Sequence, residues 1–211
     1  MDHRDHLTRA EWVDAHILSV IIAEAFHGLE PSRWLIPDPV ARWDVFPTYF
    51  RIFVNHAMEH GAVYTNTDRT AAALWLYKGD GRSDYPHDYD RQLTAATGTW
   101  IDRFRTFDLL LDKHHPTGVR HDHLAMLAVQ PGRQREGIAT ALLTSYHQML
   151  DRPDVQVPAY LDAADATTRG LYLKHGYHDH GTPIHLPDGP ALHPMWRPPG
   201  GRTTGGDGRP R

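Results

Sequence analysis

The chain has 211 residues, of which 40% are apolar and 23% charged, a globular balance that can bury the core of one ordinary domain. Its formal net charge of −4 provides no basic field, so nucleic acid is not an expected partner. The absence of cysteine excludes a disulfide framework, a thiolate nucleophile and a thiolate metal site.

The N-terminal region carries no recognisable membrane or export signal. Its longest apolar run, from Ile17 to Phe26, is interrupted by Ser19 and Glu24 and is too short to span a bilayer. The charged residues at the start of the chain do not resemble a signal peptide. We therefore expect a cytoplasmic protein that has no membrane partner.

The chain divides into one domain and a tail. Residues 200–211 contain Gly, Pro, Thr and Arg with one Asp and no large apolar side chain. Such a segment cannot offset its ordering entropy by burial, so we expect it to be disordered. The remaining residues, 1–199, are expected to form a single domain.

The first half of the sequence predicts helices around one hairpin. Apolar spacing and turn residues give four segments: a helix over Arg9–His27, a helix over Pro39–His60 kinked or split at Pro47, a hairpin of Ala62–Asn66 with Thr70–Tyr77, and a helical stretch over Tyr85–Leu111 broken near Thr97-Gly98.

The second half alternates strands with helices. The predicted elements are a strand over His123–Val129, a helix over Gly137–Leu150, a strand over Val155–Asp162 broken by Pro158, a helix over Ala166–His175, and strand pieces at Tyr177–Thr182 and Leu192–Trp196. This alternation indicates a mixed α/β class.

The first strand-to-helix junction of the second half has the features of an anion site. The strand stops at Pro131, and the helix begins close to two small residues, Gly137 and Ala139, with Arg133 and Arg135 nearby. The first amides of a helix lack internal partners and carry the positive end of its dipole, so a pyrophosphate can lie on them where no side chain intervenes. Short glycine motifs also arise by chance, and a plain strand–turn–helix is the alternative.

Two segments in the same order and at a fitting distance resemble the GNAT superfamily of N-acetyltransferases. The first is Leu-Ala-Val-Gln-Pro-Gly-Arg-Gln-Arg-Glu-Gly-Ile-Ala-Thr-Ala-Leu-Leu over 127–143, and the second is Leu-Tyr-Leu-Lys-His-Gly-Tyr over 171–177, with Tyr160-Leu161-Asp162 resembling the strand between them. Residues 71–77, 157–161 and 188–195 look most like the puromycin N-acetyltransferase group. The resemblance covers about His123 to Trp196 well. It implies a central mixed, mostly antiparallel sheet flanked by helices and split between two strands to form an acetyl-CoA cleft.

The resemblance also implies which residues hold acetyl-CoA. Backbone groups of Leu127 and Val129 would hold the pantetheine arm, and amides from Arg135 to Thr140 would hold the pyrophosphate. The implied residues are Leu127, Ala128, Val129, Gln134, Arg135, Glu136, Gly137, Ile138, Ala139 and Thr140, together with Thr168 where many relatives carry asparagine.

For catalysis, the resemblance implies direct attack of a substrate amine on the thioester, so that no protein nucleophile is needed. Tyr172 takes the position where the family places a tyrosine beside the sulfur, and a phenol can protonate a departing thiolate. The alternative is that Tyr172 only packs its ring against the helix that starts at Ile138.

The base that deprotonates the amine has several candidates. His123 and Asp122 stand at the start of the strand expected to line the cleft, and histidine titrates in the useful range. With 17 histidines in the chain, a structural role for His123 is an equal alternative. Glu24 on the first helix is a further candidate, although a solvated helix face explains it equally well.

Other functions compete with acetylation of a small amine. One is a non-catalytic acyl-CoA sensor or interaction domain on the same fold, and another is acetylation of protein lysines. A metal-dependent hydrolase is suggested by His114, His115, His121 and His123, of which His121 and His123 would share one strand face, although no carboxylate spacing supports it. A homodimer is a possible assembly.

The first half should shape the acceptor pocket. We expect an aromatic-rich pocket with at least one carboxylate near the thioester, which would suit a compact amine. The amine would be a metabolite or an antibiotic, and in the second case the function would be antibiotic resistance. The candidate aromatics, most of which are core by default, are Trp12, Phe26, Trp34, Trp43, Phe46, Tyr49, Phe50, Tyr85, Tyr89 and Trp100, and the candidate acids are Glu24, Asp38, Asp44 and Asp84.

Overall fold

The computed structural model describes residues 7–79 and 85–201, which form one sheet with helices on both faces. The helices are α1 (Ala15–Phe26), α2 (Glu30–Leu35), α3 (Pro39–His60), α4 (Tyr89–Thr97), α5 (Ile101–His114), α6 (Ile138–Leu150) and α7 (Ala166–Lys174). The strands are β1 (Thr8–Arg9), β2 (Gly61–Thr65), β3 (Ala71–Lys78), β4 (His121–Val129), β5 (Ala159–Ala163), β6 (His178–Asp179), β7 (Ile184–His185) and β8 (Ala191–Arg197). No helix in this part of the chain is long and apolar enough to cross a membrane.

The eight strands follow the order β1-β2-β3-β4-β5-β8-β6, with β7 paired to β8 off this path. Among the described strands, β4 and β5 are the one parallel pair, and all other pairings are antiparallel. The predicted fold class, a mixed and mostly antiparallel sheet flanked by helices, is confirmed.

Each face of the sheet covers its own hydrophobic core. The first core lies under α1 and α3 and includes Leu18, Phe46, Leu74 and Phe104, all essentially inaccessible to solvent. The second core lies under α6 and α7 and includes Trp75, Leu142, Tyr146, Leu161 and Tyr172. Because side chains alternate between the faces of a strand, the core that a residue joins shows which face it occupies.

The predicted hairpin and the broken helical stretch are confirmed. β2 and β3 pair antiparallel, and the Asn66 side-chain oxygen accepts hydrogen bonds from the backbone N–H groups of Thr70 and Ala71, which closes the turn. The stretch after Tyr85 divides at Gly98, whose φ of 54° ends α4 before α5 begins. α3 runs as one helix with Pro47 inside it.

Several predicted boundaries were wrong. The first helix begins at Ala15 and not at Arg9, because Thr8 and Arg9 pair with β2 as a two-residue strand. The predicted strand from Val155 starts only at Ala159, since the preceding residues form a turn with Gln156 at a φ of 47°. The strand expected over Tyr177–Thr182 is reduced to β6.

Three features lie outside these predictions or outside the described residues. The short helix α2, with Pro31 near its start, was not predicted. Asp84 and residues 202–211 lie outside the described residues, so the disordered tail and the single domain over 1–199 stay predictions.

A buried acid between α4 and α5 gives a pH-dependent stability. Tyr89 donates a hydrogen bond to Asp108 at 2.8 Å, and burial raises the pKa of Asp108 to about 7. A carboxyl whose pKa is higher in the folded than in the unfolded state destabilises the fold progressively as pH rises from about 4 to about 7. We expect Asp108→Asn to raise the melting temperature by about 2–4 °C at pH 8. At pH 4 it should change little. Calorimetry at both pH values checks this, and equal shifts would contradict it.

Candidate active site

The sheet opens between β4 and β5. These parallel strands pair only at Asp122 with Ala159 and at His123 with Tyr160, near their N-terminal ends. β4 then continues for six residues to Val129 beside β3, while β5 continues beside β8. Beyond His123, β4 therefore has a hydrogen-bonding edge that no strand covers among the described residues, and this gap is the candidate cleft.

The hydrogen-bond alternation shows which backbone groups face the cleft. Gln130 N–H donates to the Thr70 carbonyl at 2.8 Å, and in an antiparallel ladder every second pair repeats this arrangement. Ala128 therefore bonds to β3, whereas the N–H and C=O groups of Leu127 and Val129 point away from β3 and into the gap. Leu127 and Val129, the two residues predicted to hold the pantetheine arm, are oriented so that their backbone groups could do so.

A bulge adjusts β4 where the gap begins. Leu74 pairs with Met126 and Trp75 with Leu124, so Ala125 has no partner on β3. Bulges of this kind bend a strand and are frequent next to active sites. This one separates the part of β4 that pairs with β5 from the part that lines the gap.

The C-terminal end of β4 leads to the uncapped start of α6. Gly137 has a φ of 84°, its carbonyl accepts the first helical hydrogen bond from Ala141 at 2.9 Å, and no side chain caps the helix. A Cβ at Gly137 would meet no atom within 4 Å, so the space in front of the helix is open. The amides of Ile138, Ala139 and Thr140 precede that first bond and suit an anion.

The charges around this helix start differ from the sequence expectation. Arg133 pairs with Glu136 at 3.0 Å and lies 3.7 Å from Asp68, so its charge is already compensated. Exposed Arg135, at a φ of 67°, forms no ion pair with any described residue and is the cation available to a phosphate. The Gln134 amide donates to the Val129 carbonyl at 3.2 Å and fastens the loop to the end of β4.

Tyr172 lies in the second core, on the face of the sheet that α6 and α7 cover. Tyr172 is 8% exposed. Burial raises the pKa of its phenol, and the charge of Asp165 raises it further. The hydroxyl has no hydrogen-bond partner among the described residues and is not among their fully buried unpaired atoms. The phenol is thus protonated at neutral pH and free to donate.

Thr168 is engaged in the structure of α7. The Asp165 carboxylate accepts from Thr168 N–H at 2.7 Å, and the Thr168 hydroxyl receives the Asp165 N–H at 3.2 Å, which is a capping box. The hydroxyl that the resemblance assigned to cofactor binding is therefore already used in the cap of its own helix.

The candidate bases are distributed over both faces. Asp122 points into the second core, where Tyr146 donates to it at 2.8 Å, so it does not share a face with His123. His123 contacts Tyr160, and burial together with the positive charge of neighbouring groups holds its pKa well below the usual range. Its Nδ1 is buried without a partner, and the lowered pKa makes the ring neutral at neutral pH. Glu24 of α1 accepts a 3.4 Å contact from Gln130 at the far end of β4.

The histidines that suggested a metal site form part of an aromatic cluster. His115, His121 and His123 surround Tyr160 with ring centroids 4.8 to 5.9 Å from it. His121 Nδ1 donates to the Val119 carbonyl at 2.8 Å, so a neutral His121 receives the His115 N–H at its Nε2, at 3.0 Å. In the described part of the chain, no group of three His, Cys, Asp or Glu residues is arranged to hold a metal ion.

The aromatic residues proposed for the acceptor pocket differ in their exposure and surroundings. Phe46, Tyr49 and Phe50 are core residues, whereas Trp12 and Trp43 are exposed to 59% and 50%. Asp38 caps α3 by accepting from Val40 N–H at 2.9 Å. Trp34 lines an open cavity of about 740 Å³, whose other lining residues are Glu30, Arg33, Arg103, Pro187, Asp188, Gly189 and Pro190.

One acidic residue escaped the sequence analysis as a functional candidate. Asp162 lies on β5 with its carboxyl accepting from the Tyr160 hydroxyl at 2.7 Å, and burial raises its pKa to about 6. The available signal was the Tyr-Leu-Asp alternation of a strand, which places Tyr160 and Asp162 on one face.

Comparison with known proteins agrees with this geometry. Residues 116–197 match the family model described as the acetyltransferase (GNAT) domain. No curated protein sequence matches the chain. A solved structure of histone acetyltransferase HPA2 and related acetyltransferase from Corynebacterium glutamicum is 22% identical, with a TM-score of 0.67 over 93% of this chain and 97% of its own.

Two insect enzymes also share the fold. The arylalkylamine N-acetyltransferase 2 of Aedes aegypti is 10% identical, with a TM-score of 0.60 over 92% of this chain and 98% of its own. The polyamine N-acetyltransferase of Drosophila melanogaster is 14% identical, with a TM-score of 0.60 over 92% of this chain and 99% of its own. The family match over residues 116–197 and the shared fold indicate a GNAT acetyltransferase domain in this part of the chain, as the sequence predicted.

Proposed function

We propose that this chain transfers the acetyl group of acetyl-CoA to the primary amine of a small molecule. The observation that carries the proposal is the continuity of one path: the uncovered edge of β4 leads directly to the open, uncapped start of α6 at Gly137. An extended amide-containing arm fits the strand edge, and a pyrophosphate fits the helix start.

The residues along this path fit acetyl-CoA. Backbone groups of Leu127 and Val129 would bond the amides of the pantetheine arm, and the Val129 carbonyl would exchange its contact from Gln134 for one of them. The α6 amides would hold the pyrophosphate, with Arg135 adding a guanidinium. If held in this way, acetyl-CoA would supply an activated acyl group for attack by the amine.

Tyr172 is the proposed proton donor to the leaving sulfur. As the amine nitrogen bonds to the acetyl carbon and the carbon–sulfur bond breaks, the departing thiolate takes the phenolic proton. The reaction converts an ammonium to an amide and therefore removes two protons from nitrogen. One of them restores the phenol of Tyr172, and the other leaves through the base to solvent.

The acceptor is proposed to be compact because α2 contacts the loop between β7 and β8 on the first-half face of the sheet, the side proposed for the acceptor. The Trp34 indole N–H of α2 donates to the Pro187 carbonyl at 2.8 Å, in the loop between β7 and β8. A Cβ at Gly189 would collide with the Trp34 ring, so this contact is tight. Such a closure leaves less room for an extended peptide than an open groove would.

We expect catalytic efficiency on compact aminated metabolites and antibiotics to exceed that on lysine-containing peptides by about 10-fold or more. The measurement is kcat/KM for a panel of both classes, followed by release of the CoA thiol. The puromycin-like segments are the reason to include amine-bearing antibiotics. A preference for peptides would contradict the small-molecule assignment and favour a protein lysine acetyltransferase.

A further inference from the structure

Asp162 is a functional group that neither the cofactor path nor Tyr172 employs. One carboxylate oxygen accepts from the Tyr160 hydroxyl at 2.7 Å. The other has no hydrogen-bond partner among the described residues and is not among their fully buried unpaired atoms, so it is reachable. A largely buried carboxylate with one open oxygen is a site for a hydrogen-bond donor of positive charge.

Its position relative to the gap is specific. The last pair between β4 and β5 joins His123 to Tyr160, and Asp162 follows two residues later on the same face of β5. Neighbouring Leu161 and Ala163 belong to the second core, so Asp162 faces the opposite side, toward the helices of the first half. Tyr172 lies in the second core. The carboxylate and the phenol therefore lie on opposite faces of the sheet beside the gap.

The groups packed around Asp162 explain its chemistry. Burial raises its pKa to about 6, while the hydrogen bond from Tyr160 and the charge of His114 at the end of α5 act in the opposite direction. On β4, His123 pairs with Tyr160 and has a pKa held well below its usual range, so it is neutral, and on β8 the residue opposite Asp162 is uncharged Pro194. His115 and His180 contact Tyr160. A carboxyl in this environment is ionised at neutral pH and basic enough to take a proton.

We propose that Asp162 binds the ammonium group of the acceptor and takes its proton, so that the acceptor class is a primary amine that is protonated in solution. This inference rests on the proposed acetyl transfer. The ammonium donates a proton to the open carboxylate oxygen, and the nitrogen lone pair then attacks the acetyl carbon from the first-half face of the sheet. Tyr160 holds the carboxylate in place, and protonated Asp162 returns its proton to solvent after product release.

Three variants and one titration test the assignment. In the wild type, kcat/KM on the best amine should rise with pH through a midpoint near 6 and then level off. Asp162→Asn keeps the shape and an acceptor for Tyr160 but cannot take a proton. It should lower kcat/KM at pH 7 by about 100-fold or more and remove this limb. Its remaining activity should climb steadily toward high pH, as the free amine becomes abundant in solution.

Tyr160→Phe tests Asp162 through the pH dependence of kcat/KM, which would not shift if Asp162 had only a structural role. The hydrogen bond from Tyr160 lowers the pKa of Asp162, so its loss should shift the acidic limb to higher pH, with little loss of kcat/KM at pH 9. The matched control is Asp108→Asn, which alters a separate Tyr–Asp hydrogen bond, between α4 and α5. That control should keep the wild-type pH profile.

Calorimetric titration with acetyl-CoA separates this inference from the proposed function. If wild type neither binds acetyl-CoA nor acetylates any amine, the proposed function fails. If wild type does both and Asp162→Asn binds acetyl-CoA with unchanged affinity, the proposed function holds. The pH profile of kcat/KM for Asp162→Asn then decides whether Asp162 takes the proton. A wild-type limb in Asp162→Asn, or loss of the limb in Asp108→Asn instead, would overturn the role of Asp162.

Discussion

We expect Gly137→Glu to abolish acetyl-CoA binding, with affinity falling by about 100-fold or more, while the protein stays folded. The substituted carboxylate would stand in front of the first amides of α6, where an anion is proposed to lie. The space there is open, so the new side chain meets no packed atom and the fold tolerates it. Calorimetric titration with acetyl-CoA gives the affinity, and circular dichroism reports the fold.

Gly118→Glu is the matched control for this variant. Gly118 also has a positive φ, 73°, and open surroundings, so glutamate there carries a similar backbone cost of about 1–2 kcal/mol. Gly118 lies just before the N-terminal end of β4, whereas α6 follows the C-terminal end of that strand. The control should bind acetyl-CoA normally. A folded Gly137→Glu variant with wild-type affinity would show that the start of α6 is not the pyrophosphate site.

Tyr172→Phe should lower turnover by about 10- to 1000-fold with little change in acetyl-CoA affinity. The substitution preserves the ring in the second core and removes only the hydroxyl, which is unbonded among the described residues. Single-turnover kinetics on the best acceptor, combined with calorimetric titration, separates the chemical step from binding.

Tyr177→Phe is the corresponding control. Tyr177 packs edge-on against Tyr172 with ring centroids 5.7 Å apart, and its hydroxyl lies 3.1 Å from His147 Nε2. Removing the Tyr177 hydroxyl should lower the stability by about 1 kcal/mol, because a buried hydrogen bond is lost. It should not lower turnover, because the proposed proton donor, Tyr172, is retained. Wild-type turnover in Tyr172→Phe would make Tyr172 a packing residue only.

The anion loop was predictable because its determinants are local. Gly137, the small residue Ala139 and the strand that precedes them occur within one short segment, and the structure places the helix start at that segment. The Arg133 ion pair with Glu136 is also local, but the contact of Arg133 with Asp68 was not predictable, because Asp68 reaches it from the distant β2–β3 turn. Ion pairs between segments depend on the tertiary fold, which a local pattern does not contain.

The role of Asp162 was hidden for the same reason. Its raised pKa arises from burial by the assembled fold, and the partly opposing charge comes from His114 on α5. Asp122 and His123 are neighbours in sequence, yet strand alternation sends them to different faces. The shortest elements, β1 and α2, escaped prediction because two residues or one turn give no measurable periodicity.

Identification of the product by mass tests the central claim most directly. The protein is incubated with acetyl-CoA and the amine panel, and CoA thiol release is measured alongside the products. We predict that one compact amine gains a single acetyl group on nitrogen, with one CoA released per product, and that Tyr172→Phe slows both together. Binding of acetyl-CoA without an acetylated amine or peptide would contradict this account and indicate a non-catalytic acyl-CoA-binding domain.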